Sequence, residues 1–175
     1  MKASQTQKGL SLIELSVGLV IVGLVIAGAL AMYNSTSSSQ RSTQLISDVQ
    51  SVRATTRGLF SSQTGYGTNV NLNLAIINAK KLPSNWVTLI NGNNATITAP
   101  GNIPITITGL SANSFQIDVK TVSKEICISF LTGLGPDWNS VKVGNRGEVT
   151  AFPLSPTTAN TECAGASNDI ALFSQ

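Results

Sequence analysis

Hydrophobic and polar positions along this chain follow two rhythms, one helical and one of period two. From Leu15 to Met32 there are 18 consecutive residues without a charge. At 1.5 Å per residue a helix of them rises about 27 Å, close to the hydrocarbon thickness of a bilayer. After Tyr33 the run Asn34-Ser35-Thr36-Ser37-Ser38-Ser39-Gln40 is polar and of low helix propensity, a place to bend or fray. Beyond it Leu45, Ile46, Val49, Val52, Leu59 and Phe60 recur at helical spacing. The pattern predicts one long helix from Leu10 to about Phe60, apolar all round in its first half and striped in its second, where the stripe packs on a folded head. Arg41, Asp48, Arg53 and Arg57 fall off the stripe and are expected to face solvent or a neighbouring chain.

The head, residues 61–175, reads differently. Gly58 and the segment from Ser61 to Gly67 end the long helix, with glycines available as caps. Apolar positions between Val70 and Lys81 predict a short helix closed by Pro83. Period-two segments follow: Trp86–Ile90, Ala95–Thr98, Ile103–Thr108 and Ser114–Val119, separated by turns at Asn91–Asn94 and Pro100–Asn102. They predict an antiparallel sheet. Thr121–Leu131 carries apolar residues three and four apart and predicts a second head helix, holding Cys127 and ended by Gly133. Val141–Val143 and Glu148–Phe152 predict a hairpin about Gly144–Gly147, Pro153–Asn168 a loop, and Ile170–Phe173 a last strand. The fold class expected is α+β: a long N-terminal helix packed on an antiparallel sheet with short helices.

One ionisable residue does not fit an ordinary membrane anchor. Glu14 sits at the edge of the apolar run, where insertion scales put a carboxylate at about 2.5 to 3.5 kcal/mol. A cut between Gly9 and Leu10 would supply a partner, because the product begins with a free amine on Leu10 and carries Glu14 as its fifth residue. In a continued helix the two lie about one turn apart. The carboxylate can meet its own amine or that of a helix alongside, and opposite charges in a low dielectric attract far more strongly than in water. The second arrangement sets axial register between chains. Two other readings stay open on the residues: Ala29-Leu30-Ala31 fits a signal peptidase site that would make residues 1–31 a secretory signal peptide, and the apolar run alone would serve a plain signal anchor. Glu14 within the apolar stretch counts against the first.

A short polar leader ending in Lys8-Gly9, an apolar residue after the cut, Glu14 at position five of the product and a long hydrophobic helix resemble a type IV prepilin. Leu10 at the start of the product, the absence of proline from the apolar helix and a large head with two late cysteines resemble the type IVb branch. Gln63, Gly65-Tyr66-Gly67 and Leu82-Pro83, within Arg53–Pro83, are similar to the thin-pilus and bundle-forming subgroup. The resemblance implies a leader at 1–9, a helix at 10–60 whose part to about residue 33 forms the membrane segment and filament core, and a head at 61–175. It implies that a prepilin peptidase cuts after Gly9 and methylates Leu10. An assembly ATPase, an inner-membrane platform and an outer-membrane secretin would then build an extracellular pilus of a Gram-negative bacterium, with the head periplasmic beforehand. Adhesion, aggregation or mating contact in conjugation are the functions implied. A minor tip pilin or adhesin and a type II secretion pseudopilin are the rivals. Gly18, Gly23 and Gly28 either allow close helix packing or let the helix unwind as the subunit leaves the bilayer for the filament. The residues between the cysteines, 128–162, would supply contacts between subunits and the outer face.

Composition narrows the chemistry. Charged residues make up 11% of the chain, and of its 11 basic side chains Lys2 and Lys8 belong to the leader, leaving nine against 8 acidic ones. Near-neutrality with Lys80-Lys81 as the only adjacent basic pair argues against nucleic-acid binding. In an exported chain Cys127 and Cys163 read as one disulfide, two buried thiols being the alternative. There is no histidine and no phosphate-loop, paired-cysteine or dinucleotide fingerprint. No enzyme, cofactor or metal is expected.

Overall fold

A computed structural model describes residues 12–60 and 65–175, with side chains at all of these but 31–37. Gly9 and Leu10 lie outside the described residues, as do positions 61–64 of the expected helix terminator. Two compact units divide at Ser37/Ser38, and each is taken by itself.

In the first unit the described part is helix, the beginning of α1 (Leu12–Phe60). The polar run at 34–40 lies inside α1 and does not end it.

In the second unit α1 contributes a narrow stripe of buried residues, Ser42, Leu45, Val49, Val52 and Thr56, at alternating spacings of three and four. Its two hydroxyls stay satisfied within the helix. Ser42 Oγ donates to the Ser39 carbonyl at 2.9 Å, and Thr56 Oγ1 to that of Val52 at 2.8 Å.

That stripe belongs to one hydrophobic core with a seven-stranded antiparallel sheet. The strands are β1 (Val70–Asn71), β2 (Val87–Asn91), β3 (Asn94–Ala99), β4 (Ile103–Ser111), β5 (Ser114–Ser123), β6 (Ser140–Val143) and β7 (Ser167–Ser174). Their order is β2-β3-β4-β5-β7-β6, with β1 on β4 beyond the end of β3. Alternation decides the inner face: Ile103, Ile105 and Ile107 of β4, Phe115, Ile117 and Val119 of β5, and Ile170 and Leu172 of β7 are all buried. Among the described residues three short helices accompany the sheet, α2 (Asn73–Asn78), α3 (Lys124–Gly133) and α4 (Pro156–Glu162). Close approach fixes Gly109, where a Cβ would stand 2.1 Å from the Tyr66 carbonyl oxygen. Tyr66 packs its ring between Phe60 and Phe115.

Four expectations are corrected. The helix over Val70–Lys81 is shorter, because β4 captures its first turn: Leu72 N–H donates to the Ile107 carbonyl at 2.8 Å, and Val70 and Asn71 pair with Gly109 and Thr108. Asn73, buried at the start of α2, accepts from Ile107 N–H and donates to the Ala95 and Ile105 carbonyls, so its amide fills the gap between β3 and β1 along β4. The helix carrying Cys127 starts later, since β5 runs on to Ser123 across a bulge at Thr121 and pairs with β7. The hairpin from Glu148 to Phe152 reduces to a single bridge between Val141 and Val149. β6 keeps that bridge on one side and pairs along its whole length with β7 on the other, whose Ile170 and Leu172 match the buried Val143 and Val141, whereas Val149 is only half-buried and Ala151 is exposed. Finally, the loop at 153–168 contains α4, started by Ser155, whose Oγ accepts from Thr158 N–H at 3.1 Å, with Pro156 in the first turn.

Asp48 is a fifth correction. It is buried, with Oδ2 accepting from the Trp86 indole N–H at 2.9 Å and Oδ1 from the Gln44 amide at 2.8 Å. The bond ties α1 to the residue before β2. Asp48→Ala leaves a buried indole N–H without its acceptor and is expected to lower stability by about 1 to 3 kcal/mol. Thermal unfolding of the detergent-solubilised chain checks it; an unchanged midpoint would show the bond to be replaceable.

Candidate assembly site

The apolar half of α1, Leu12–Leu30, is long and apolar enough to cross a membrane, with mean hydropathy 2.4, and none of it is buried. Nineteen residues of helix rise about 28 Å, against about 30 Å of hydrocarbon. Leu12, Ile13, Leu15, Leu19, Val20 and Leu24 all stand open. A surface of that kind needs cover from lipid or from other apolar helices. Ser16, its hydroxyl donating to the Ile13 carbonyl at 2.8 Å, presents no unsatisfied proton to such surroundings.

Glu14 lies in the first turn of α1 and is exposed. Gly18, Gly23 and Gly28 are five residues apart, so successive glycines point about 140° from one another around the helix. They form no single small-residue groove. A Cβ added at any of the three meets nothing within 4 Å.

The head is braced at two points. Cys127 of α3 and Cys163, which caps α4, form a fully buried disulfide with Cα atoms 6.0 Å apart, as the sequence led us to expect. It closes a loop of 36 residues, for which chain entropy gives about 3 to 4 kcal/mol of stabilisation. Replacing both cysteines by Ala is expected to remove about that much, read as a lower melting temperature; a midpoint unmoved by the double substitution would contradict it. The second brace is Arg53, expected at the surface and found half-buried. Its Nε donates to Ser174 Oγ at 2.8 Å, an Nη donates to the Asp137 carbonyl, and the guanidinium lies 5.2 Å from the centre of the Trp138 ring. Burial, and after it the nearby Arg57, lowers its pKa, yet the group remains charged at neutral pH. Nothing in the local sequence distinguishes Arg53 from Arg57; only the folded neighbours do.

On the outer face of the sheet the Asp118 carboxyl is pushed above its usual range, chiefly by burial, against a hydrogen bond from the Gln116 amide. A folded pKa raised in this way makes its contribution to stability largest in acid and lost as pH rises through that pKa. Asp118→Asn is therefore expected to melt higher than the parent at neutral pH, the gap closing below about pH 4. An Asn variant less stable than the parent at neutral pH would reverse the sign.

Comparison with known proteins sets these features in a family. Residues 39–175 match the family described as PilS N terminal, and residues 4–30 match the prokaryotic N-terminal methylation motif. The chain belongs to the PilS family. Two curated relatives, the major structural subunits of the bundle-forming pilus of Escherichia coli O111:H- and of Escherichia coli O127:H6, are each 26% identical over 175 residues, 90% of this chain and 88% of the relative. Among solved structures, the type IVb pilin of Salmonella typhi is 18% identical with a TM-score of 0.62, covering 73% of this chain and 95% of the other. A type IV pilin from Vibrio cholerae El Tor is 13% identical with a TM-score of 0.56, covering 78% and 99%. The PilS head thus has the type IVb pilin fold. Family members are structural subunits that polymerise and not catalysts. The methylation motif together with the bare apolar helix makes the PilS chain a membrane-anchored precursor of an extracellular filament.

Proposed function

We propose that this chain is the repeating subunit of a type IVb pilus that serves adhesion, aggregation or mating contact. The observation that carries the reading is the junction of a wholly uncovered membrane-length helix, with Glu14 in its first turn, to a disulfide-braced PilS head. A helix that is apolar on every side has two stable settings, a bilayer and a bundle of its own kind. Passing from the first to the second is what assembly requires.

In this reading a prepilin peptidase cuts between Gly9 and Leu10 and the Leu10 amine is methylated, consistent with the motif matched over residues 4–30. Glu14 then pairs with an amine created by that cut and fixes axial register between subunits. Gly18, Gly23 and Gly28, distributed around the helix, let it lengthen when drawn from the membrane. The leader, residues 1–9, stays cytoplasmic and the head is periplasmic until an assembly ATPase, an inner-membrane platform and an outer-membrane secretin deliver the filament outside a Gram-negative cell. The bundle-forming-pilus relatives favour a major subunit over a tip adhesin or a secretion pseudopilin.

N-terminal sequencing and intact mass of sheared surface fibres test the proposal. A methylated Leu10 on the most abundant fibre protein is expected. Material beginning at Met32, or a parental chain that never enters fibres in a host with the assembly machinery, overturns it.

A further inference from the structure

The two edges of the head sheet are treated differently. At one, β6 carries Lys142 and exchanges hydrogen bonds with Val149, the Val141 N–H donating to the Val149 carbonyl at 2.9 Å and the Val141 carbonyl accepting from the Val149 N–H at 2.8 Å, so that edge is partly closed. At the other lies β2, paired only with β3 among the described strands and running against it without a register shift. Every residue of β2 is exposed. Val87 and Leu89 project on one face, 60% and 68% exposed, and Ile90 on the other, 52% exposed. Their partners show how far the core reaches: Ile97 and Ala95, opposite Thr88 and Ile90, are buried while the β2 residues are not. β2 is therefore bare on both faces and along its outer backbone edge.

Exposed edge strands in free-standing proteins are blunted by lysine, proline or a bulge, since an open ladder otherwise recruits another chain. β2 has none of these. From Leu82 to Ile117 the chain carries no Lys, Arg, Asp or Glu, a stretch that spans β2, β3 and β4. A charge-free surface meets a copy of itself, or another uncharged part of the same head, without like-charge repulsion.

We infer that β2 is a head-to-head contact in the assembled pilus, covered by a second copy of this chain in the same filament. The inference rests on the polymeric reading above. A polymer held together by its N-terminal helices fixes other heads beside each head at high effective concentration, so even a small apolar patch is occupied there before any free ligand arrives. Val87, Leu89 and Ile90 supply the apolar contact, and the outer backbone of β2 supplies hydrogen-bonding groups for an added segment.

Leu89→Cys tests it in the full chain, because the native cysteines are joined and buried and the new thiol is the only one to react. Maleimide labelling of dispersed, unbundled fibres is expected to be slower by about tenfold or more than labelling of detergent-dissociated subunits, as for a site that reacts only on local opening. A photo-crosslinker at the same position should join one head to another. Leu89→Lys, at a position too exposed to matter for folding, is expected to give fibres that dissociate at lower temperature while the melting of isolated subunits stays put. Equal labelling in fibres and subunits, protection confined to bundled fibres, or cross-links to a protein other than this chain would each overturn the inference. Those outcomes leave fibres and a processed Leu10 intact, whereas a parental chain that forms no fibres sinks the proposed function itself.

Discussion

Glu14→Val is expected to leave the precursor inserted, cleaved and stable in its head, and to abolish fibres. The substitution makes the apolar helix still more apolar, so insertion improves on any transfer scale. The head core lies in the unit from Ser38 to Gln175 and does not involve position 14. What disappears is the one side chain of that stretch able to pair with an N-terminal ammonium group. Truncating one partner of a buried, hydrogen-bonded charge pair costs about 2 to 5 kcal/mol, in part because the other charge is left unpaired. At 1.4 kcal/mol per tenfold this is a loss of roughly 30-fold or more at every addition of a subunit. Because the loss recurs at each step, long fibres are lost before short oligomers. Electron microscopy of sheared fractions beside an intact-mass measurement of membrane-held subunit reads both halves of the expectation. Normal fibres from the Val variant would remove the pairing role, and Glu14→Gln, which keeps the shape without the charge, separates electrostatics from packing.

Gly9→Val should give an equally complete block one step earlier. With no Cβ, a glycine before the proposed cut would let the backbone approach a peptidase closely; a β-branched side chain would both obstruct that approach and stiffen the chain. Full-length chain then accumulates in the membrane, Leu10 keeps its amide, and Glu14 has no new amine to meet. Assembly fails for the same electrostatic reason as in the Glu14 variant, while the measured mass differs by the whole leader. The double variant should be no worse than Gly9→Val alone, the non-additivity expected of residues acting through one interaction. A mass corresponding to a Leu10 start in the Gly9 variant would place the cut elsewhere.

How much of this was legible beforehand depends on the range of the forces involved. The isoleucines at 103, 105 and 107 announce a strand by alternation, and Leu45, Val49 and Val52 announce a helical stripe, because burial of one face is a local, periodic requirement. Ser155-Pro156 marks the start of α4 just as locally, in a cap followed by a proline in the first turn, but the residues after it are small and polar and carry no apolar stripe. Asp48 and Arg53 are another matter. On a helical projection of about 100° per residue both border the apolar arc, Arg53 between Ile46 and Phe60 and Asp48 beside Leu59, yet no neighbour in sequence says that Trp86 will offer an indole N–H to one and Trp138 a ring to the other.

The sequence by itself determined that a membrane-length helix with a carboxylate near its start precedes an α+β head, that the strands alternate, and that two cysteines are available to pair, since each follows from composition or from periods of 2 and 3.6 residues. Only the tertiary structure decided that β6 pairs along its length with β7 and meets 148–152 at a single bridge, that β1 extends the sheet at the expense of α2, and that β2 is left open. Those choices turn on which distant segment offers the better apolar match and which backbone groups remain unpaired once the core has closed. Such competition between segments far apart in the chain leaves no mark on any one of them.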